Sequence, residues 1–474
     1  MKRSGYPKMR IQALLILVAL LAPPLSPARA ADDAEVKRGG YLAIASDCTA
    51  CHTAPGGQPM AGGLRMASPL GTIVSTNISP SQEHGIGRYS FAQFDRAVRH
   101  GIRGDGARLY PAMPYTAYAK LTDQDMLALY AYFMTAVRPV ETSPEHTRLP
   151  FPFNMRLSMA GWNILFLDSG TFVSDPKHTS EWNRGAYLVQ GAAHCGSCHT
   201  PRGFLMQEKS GQPMAGSALG GWFAPNITSD AISGIGGWSV EELTTYLRTG
   251  HAPGKAQAAG PMAEAIDASL RHMNEADLRA IAVYLKSVAP VRNSADSRPA
   301  FAWGTAGDDL PSIRGVGLPG NLDEMTGPQL YDAHCASCHQ SQGQGSFDGA
   351  LPSLFHNAAL GRSRADNLVM VILNGLRRHP DVNMPAFGHA LSDIQLATLS
   401  NYLTSKWGNP QTQITAKEIG TLRAGGAPSP LLLLARGGML LIAILLIVAL
   451  VWWQYRRLSK RQPQAIDPAH TPGE

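Results

Sequence analysis

The sequence predicts a mainly α-helical chain, built as three small tandem modules and closed by one transmembrane helix. Three observations predict it. One five-residue pattern occurs three times, at Cys48-Thr-Ala-Cys51-His52, Cys195-Gly-Ser-Cys198-His199 and Cys335-Ala-Ser-Cys338-His339, and it consumes all six cysteines. Each copy is followed by runs whose apolar residues lie three and four apart, the spacing that gives a helix one face to bury. Near the other end, Leu431 to Trp453 form an apolar block of 23 residues broken only by Arg436, long enough to cross a bilayer.

Taken in order, the chain opens with Lys2, Arg3, Lys8 and Arg10, an apolar stretch from Ile11 to Leu21, and Ala28-Arg-Ala30. A basic head, a short apolar centre and a small-x-small end are the parts of an export signal, so residues 1–30 are expected to be a cleaved signal peptide. The first module is expected over 34–140, an apolar linker over 141–180, the second module over 181–292, a second linker over 293–323 and the third module over 324–410. Internal repetition supports this plan. Asn77-Ile78 and Gly85-Ile-Gly87 are matched by Asn226-Ile227 and Gly234-Ile-Gly236, and the helical runs after them end at Gly101 and Gly250, as C-caps would. The third module departs from the parallel but keeps a helical run from Asn367 to Asn374, followed by Gly375. Closing helices are expected from Thr122 to Phe133, Asn274 to Val288 and Ser392 to Lys406, with Thr122 and Ser392 as N-caps behind a leucine staple.

The two linkers differ in kind. Residues 293–323 are rich in Gly, Pro, Ser and Asp and read as a surface tether. Residues 149–169 carry Leu149, Phe151, Phe153, Leu157, Trp162, Ile164, Leu165, Phe166 and Leu167, which suits either a cleft filler or a contact surface. The membrane anchor is expected over 429–453 and a cytoplasmic tail over 454–474. Trp452, Trp453 and Tyr455 form an interfacial belt, and Arg456, Arg457, Lys460 and Arg461 keep the tail inside, so the modules face the periplasm.

The repeated motif carries the chemistry. Two cysteines spaced in this way, with a histidine immediately after, can hold a haem through two thioethers and bind its iron through the imidazole. Paired thiolates also suit zinc, but zinc does not demand a histidine at that place three times over. Three covalently bound haem c groups are therefore expected, on Cys48 and Cys51, Cys195 and Cys198, and Cys335 and Cys338, with His52, His199 and His339 as proximal ligands. Each module also offers a methionine beside proline: Met113 in Ala-Met-Pro, Met262 in Gly-Pro-Met and Met384 in Asn-Met-Pro, 61, 63 and 45 residues beyond the three histidines. A proline-stiffened loop ahead of the closing helix can hold a weak thioether ligand at fixed distance. Met113, Met262 and Met384 are thus the candidate sixth ligands, against the ordinary use of methionine as core filling. Arg103, Arg248 and Arg377 are candidates to neutralise propionates.

Charge is uninformative once its location is considered. The net +6 falls to +1 when the five basic residues of the signal leave, and the tail beyond Trp453 holds +2, leaving −1 for the exported part with its anchor. There is no concentrated basic patch of the kind nucleic acid requires. The chain shows no dinucleotide fingerprint, phosphate loop or nucleophilic triad, so no site for an organic substrate is expected and the catalyst must sit on a partner.

The haem motifs, the Gly260-Pro-Met-Ala-Glu and Asn383-Met-Pro phrases, Arg38-Gly-Gly-Tyr-Leu and Tyr331-Asp-Ala-His-Cys-Ala-Ser-Cys-His339, together with the anchor, resemble the triheme cytochrome c subunit of membrane-bound bacterial dehydrogenases. The nearest resemblance is to that of quinoprotein alcohol dehydrogenase of acetic acid bacteria, across Lys37 to about Trp407. It implies three tandem class I cytochrome c domains that pass electrons to ubiquinone in the inner membrane. It also implies a large catalytic subunit, containing pyrroloquinoline quinone, and leaves room for an additional small subunit. Similar cytochromes serve flavin-containing sugar and gluconate dehydrogenases and molybdenum-containing aldehyde dehydrogenases; a terminal-oxidase subunit is a further alternative.

Overall fold

The computed structural model describes residues 32–349, 351–378 and 382–459. The expected signal peptide, the tail beyond Ser459 and the side chain of Arg377 lie outside the described part.

In the first module, helix α1 (Asp33–Ala45) leads into the short α2 (Cys48–His52), which carries the first motif. A hairpin of β1 (Arg65–Ser68) and β2 (Gly71–Val74) follows, then α3 (Phe91–His100), the single turn α4 (Tyr115–Tyr118) and the closing α5 (Asp123–Thr135). The linker contains α6 (Ser158–Phe166). The second module repeats the plan with α7 (Ser180–Gln190), α8 (Gly196–His199), β3 (Ser217–Leu219), β4 (Trp222–Ala224), α9 (Val240–Thr249), β5 (His251–Ala252), β6 (Ala256–Gln257), α10 (Gly260–Ala268) and α11 (Glu275–Leu285). The third has α12 (Gly327–His334), α13 (Ala336–His339), α14 (Ala358–Gly361), α15 (Asp366–Asn374), β7 (Leu376–Arg378), β8 (Val382–Met384) and α16 (Asp393–Trp407). Helix α17 (Ala416–Arg423) and the long α18 (Leu431–Ser459) end the described chain. All the strands pair as two-stranded antiparallel hairpins.

Local chemistry sets the helix ends. Ser90 and Ser239 form capping boxes with Gln93 and Glu242, and the helices they start stop at Gly101 and Gly250, whose φ of 62° and 70° is open to glycine at little cost. Thr122, Asn274 and Ser392 cap the three closing helices through side-chain oxygens. In every module the first helix crosses the closing helix at a glycine. A Cβ on Gly39 would stand 1.9 Å from the Ala128 carbonyl oxygen, one on Gly185 1.9 Å from that of Ala280, and one on Gly327 2.4 Å from Tyr402 Cβ.

The first two modules share one core, with Leu42, Met126 and Phe133 from the first and Leu188, Ile266 and Ile281 from the second; the third builds its own around Tyr331, Leu399 and Trp407. Full burial of such side chains stabilises by roughly 1.5–3 kcal/mol each. The shared core is bordered by a crossed pair of polar contacts. Tyr41 of the first module donates to Asp277 of the second at 2.5 Å, and Tyr187 of the second donates to Asp125 of the first. Each aspartate is also gripped from its own module, Asp125 by Arg38 at 2.6 Å and Asp277 by Arg184 at 2.8 and 2.7 Å.

The third module attaches differently. The Asn367 side chain both accepts from Phe223 N–H and donates to Phe223 C=O, each at 2.8 Å, and Ala358 N–H donates to the Lys255 carbonyl at 2.8 Å. The stretch read as a surface tether departs from that expectation. Trp303 is buried and Phe301 packs on Trp238, because two aromatic rings outweigh the polar composition around them. Helix α18 is apolar and unburied, the one helix among the described residues long and apolar enough to anchor the chain in a membrane, and it runs six residues beyond the expected end at Trp453. Arg456 and Arg457 continue it by laying their guanidinium groups over Trp452 and Trp453, each at 3.9 Å.

Candidate functional site

Each motif histidine is oriented by a backbone carbonyl. Nδ1 of His52 meets the Thr76 oxygen at 2.7 Å, that of His199 the Pro225 oxygen at 2.7 Å, and that of His339 the Pro352 oxygen at 3.1 Å. A carbonyl can only accept, so Nδ1 carries the proton and Nε2 keeps its lone pair, the tautomer an iron ligand needs. Burial lowers the pKa of all three imidazoles; at His199 the bond to Pro225 opposes this and the Arg362 charge adds to it. Neutral rings are therefore favoured. A second backbone bond fixes each motif: Gly62, Gly216 and Gly345 N–H donate to the carbonyls of His52, His199 and His339.

The cysteines lie beside apolar space. Burial pushes the thiols of Cys48, Cys195 and Cys335 up to about 12, as their apolar surroundings disfavour the thiolate. In the first module the structure brings Cys48, Cys51, His52 and Met113 to the wall of one cavity of about 300 Å³. Ile78, Phe94, Leu129 and Phe133 supply apolar wall, and Arg103 and Arg156 supply positive charge. A flat apolar macrocycle with two carboxylates fits that donor set: thiols to anchor it, a neutral imidazole and a thioether to ligate it, and guanidinium groups for its acids.

In the second module Cys195 and Met262 both pack on the shared core, and in the third Cys335 and Met384 pack on the third core. Two of the methionines differ from the expected loop setting. Met262 is in the first turn of α10, since Pro261 is well placed to start a helix, and Met384 ends strand β8 of a hairpin. Met60 and Met214, both near sequence motifs, are buried in matching conformations with φ of 62° and 59°, and their N–H groups donate to Thr53 and Thr200. Those two serve as core. Of the arginines, Arg103 lines the first cavity while bonded to Asp105 at 2.7 Å, and Arg248 faces Glu275 at 3.9 Å.

The first and second sites adjoin. His194, the residue before Cys195, lines the first cavity and meets the Tyr118 ring edge-on at 5.6 Å. The Cys51 thiol is pushed up to about 11 by burial and then by Asp47, Glu264 and Cys198, so the two cysteine pairs are within electrostatic reach. Helix α10, which carries Met262, packs against α2 of the first motif. The carbonyls of Thr76, Pro225 and Pro352, and the participation of Arg156 and Arg362, had no signal in motif spacing. The repeated Asn-Ile pairs did point at the first two carbonyls, which belong to the residues just before them.

Family models match two of the modules: cytochrome c over residues 36–136, and cytochrome c oxidase, cbb3-type, subunit III over residues 323–403. Relatives match across the modules. The fructose dehydrogenase cytochrome subunit of Gluconobacter japonicus is 46% identical over 86% of this chain and 87% of its own. The cytochrome c subunit of the quinone alcohol dehydrogenase of Komagataeibacter europaeus is 41% identical over 84% and 86%. The gluconate 2-dehydrogenase cytochrome c subunit of Pantoea cypripedii is 40% identical over 86% and 94%.

Proposed function

The chain belongs to the family of multihaem cytochrome c subunits of membrane-bound dehydrogenases, and from that premise we propose that it carries electrons from a sugar- or sugar-acid-oxidising catalytic subunit to ubiquinone. Its class is an electron-transfer subunit with covalently attached haem c, tethered by one C-terminal helix. The observation that carries the finer reading is the 46% identity to the fructose dehydrogenase subunit, against 41% and 39% for alcohol dehydrogenase subunits. The expectation of a quinoprotein alcohol dehydrogenase partner gives way to the sugar class. Its weakness has a physical origin: a relay touches the oxidised substrate nowhere, so haem motifs report little about the fuel.

In this reading Cys48, Cys51, His52 and Met113 serve the first haem, Cys195, Cys198, His199 and Met262 the second, and Cys335, Cys338, His339 and Met384 the third. Bound haem iron supplies reversible one-electron storage, and a methionine ligand raises its potential relative to a second histidine. The chain's own residues do the rest. Thr76, Pro225 and Pro352 hold the imidazoles in one tautomer, apolar walls keep water out, and α10 packed on α2 keeps the first two sites together.

The test is substrate-driven reduction of the purified membrane complex, followed in the haem absorption bands, together with mass spectrometry of the partner. Fructose or gluconate should reduce the haems and a flavin-bearing large subunit should co-purify. Reduction by ethanol alone, with a pyrroloquinoline-quinone subunit, would restore the alcohol reading.

A further inference from the structure

The apolar face of the first linker has no use in the electron-transfer reading. Leu157, Ile164 and Leu165 are 78%, 84% and 67% exposed, and Phe151 and Met155 are about half exposed. The segment is nonetheless held firmly. Asn163 is buried, accepts from the Tyr115 hydroxyl at 2.8 Å and donates to the His100 carbonyl at 3.1 Å, while Trp162 Nε1 donates to the Leu205 carbonyl at 2.9 Å. Its apolar side chains are therefore presented to the outside from one short, firmly held segment, and exposed apolar residues gathered in this way mark a contact surface.

The anchor gives the depth of that surface. Arg436 Nε in α18 donates to the Phe151 carbonyl at 3.3 Å. At 1.5 Å per residue, Arg436 stands about 24 Å along the helix from Trp452. That approaches the hydrocarbon thickness of about 30 Å. Trp452 and Trp453, covered by Arg456 and Arg457, mark one interface, and Arg436, set inside an apolar block that continues outward to Leu431, extends its side chain toward the other. The Phe151 carbonyl lies at the same level, at the outer edge of the bilayer.

We propose that Phe151, Met155, Leu157, Ile164 and Leu165 form a membrane-contact surface that seats in the headgroup–acyl boundary beside the anchor. None of the five carries a charge, and an apolar face lying in that boundary is stabilised by the area it buries. The other side of the same segment walls the first cavity: the Tyr110 hydroxyl donates to the Phe153 carbonyl at 2.7 Å, and Arg156, itself at the cavity, lies 4.6 Å over the Tyr110 ring. Seating the surface would thus fix the first cavity next to the lipid, where a lipid-soluble electron acceptor resides.

A photoreactive benzoylphenylalanine placed at Leu157, Ile164 or Leu165 of the full-length chain, in its native membranes with its partner subunits, tests this. Val316, 58% exposed on a different loop, is the control. All four positions are exposed, and haem absorbance checks that each variant has folded. Phospholipid adducts at the three patch positions and none at Val316 are expected. Cross-links from the patch to a large catalytic subunit would assign the face to that protein instead, and an absence of adducts at all three would show it faces water; either overturns the proposal.

Discussion

Asp277→Asn probes the tie between the first two modules. The Asp277 carboxylate accepts from Arg184 at 2.8 and 2.7 Å within its own module, and from Tyr41 at 2.5 Å across the interface. An amide in its place turns an NH2 group toward one of these donors and removes the charge from all of them. Breaking a buried ion pair costs about 3–5 kcal/mol. The Arg184 side chain is 35% exposed, so water recovers part of this and about 2–3 kcal/mol is expected. Tyr41→Phe removes the crossing bond to Asp277 together with the one the hydroxyl accepts from Asn274 at 2.9 Å, and should cost at least about 1.5 kcal/mol, the low end for a bond to a charged group. Guanidinium unfolding of the full-length chain in detergent, followed by Soret and near-ultraviolet circular dichroism, reads both values. In the parent the first two modules should melt together; in Tyr41→Phe with Tyr187→Phe the transition should split. The pH dependence gives a second reading. Burial raises the Asp277 carboxyl, but the bonds from Arg184 and Tyr41 outweigh it and hold it below its ordinary value. A carboxyl depressed in the folded state contributes stability that is present above its unfolded pKa and lost as pH falls through the folded one, here on acidification below the ordinary carboxylate range. The gap between parent and Asp277→Asn should therefore close on acidification. A cost under about 0.5 kcal/mol at pH 7, the range of an ordinary surface change, would refute the reasoning, as would a gap that widens in acid.

Two further outcomes follow from the packing and the ligand sets. Gly185→Ala puts a methyl group 1.9 Å from the Ala280 carbonyl oxygen, so α7 and α11 must separate; destabilisation beyond the roughly 1–3 kcal/mol of ordinary overpacking is expected, read as a lowered melting temperature, whereas exposed Gly211→Ala should be silent. Met113→His should preserve a six-coordinate, low-spin spectrum but lower one of the three midpoint potentials in a redox titration, since nitrogen replaces sulfur; three unchanged potentials would remove Met113 from the ligand set.

Much of the fold was written in local signals. Thr122, Asn274 and Ser392 announced starts of closing helices that the structure honours, and Gly101, Gly250 and Gly375 marked the stops of the helices preceding them. The motif cysteines and histidines are equally local. What spacing could not convey was contact over long separations and backbone chemistry. Tyr41 and Asp277 are 236 residues apart, and neither looks unusual in its own neighbourhood. Of the carbonyls that orient the histidines, those of Thr76 and Pro225 are flagged only indirectly, by the Asn-Ile pairs after them, and that of Pro352 not at all. The 293–323 stretch misled because composition averages over a segment, whereas Phe301 and Trp303 bury themselves individually. The partner's substrate was obscured for another reason, since motifs that hold haem say little about the fuel being oxidised.

Reciprocity of the Tyr41–Asp277 and Tyr187–Asp125 kind is the mark of an isologous face, in which each body offers the same residues to the other. The first two modules are arranged as a two-fold dimer would be, with Tyr41 and Tyr187, and Asp125 and Asp277, at matching places in the repeated sequence. Such a face is self-saturating: once both copies have spent it on each other, no further copy can add by the same surface. The third module is joined by other contacts, Asn367 on Phe223 and Ala358 on Lys255, with a core of its own. The third module is therefore held by a joint of a different kind, which leaves the two-fold face between the first two undisturbed.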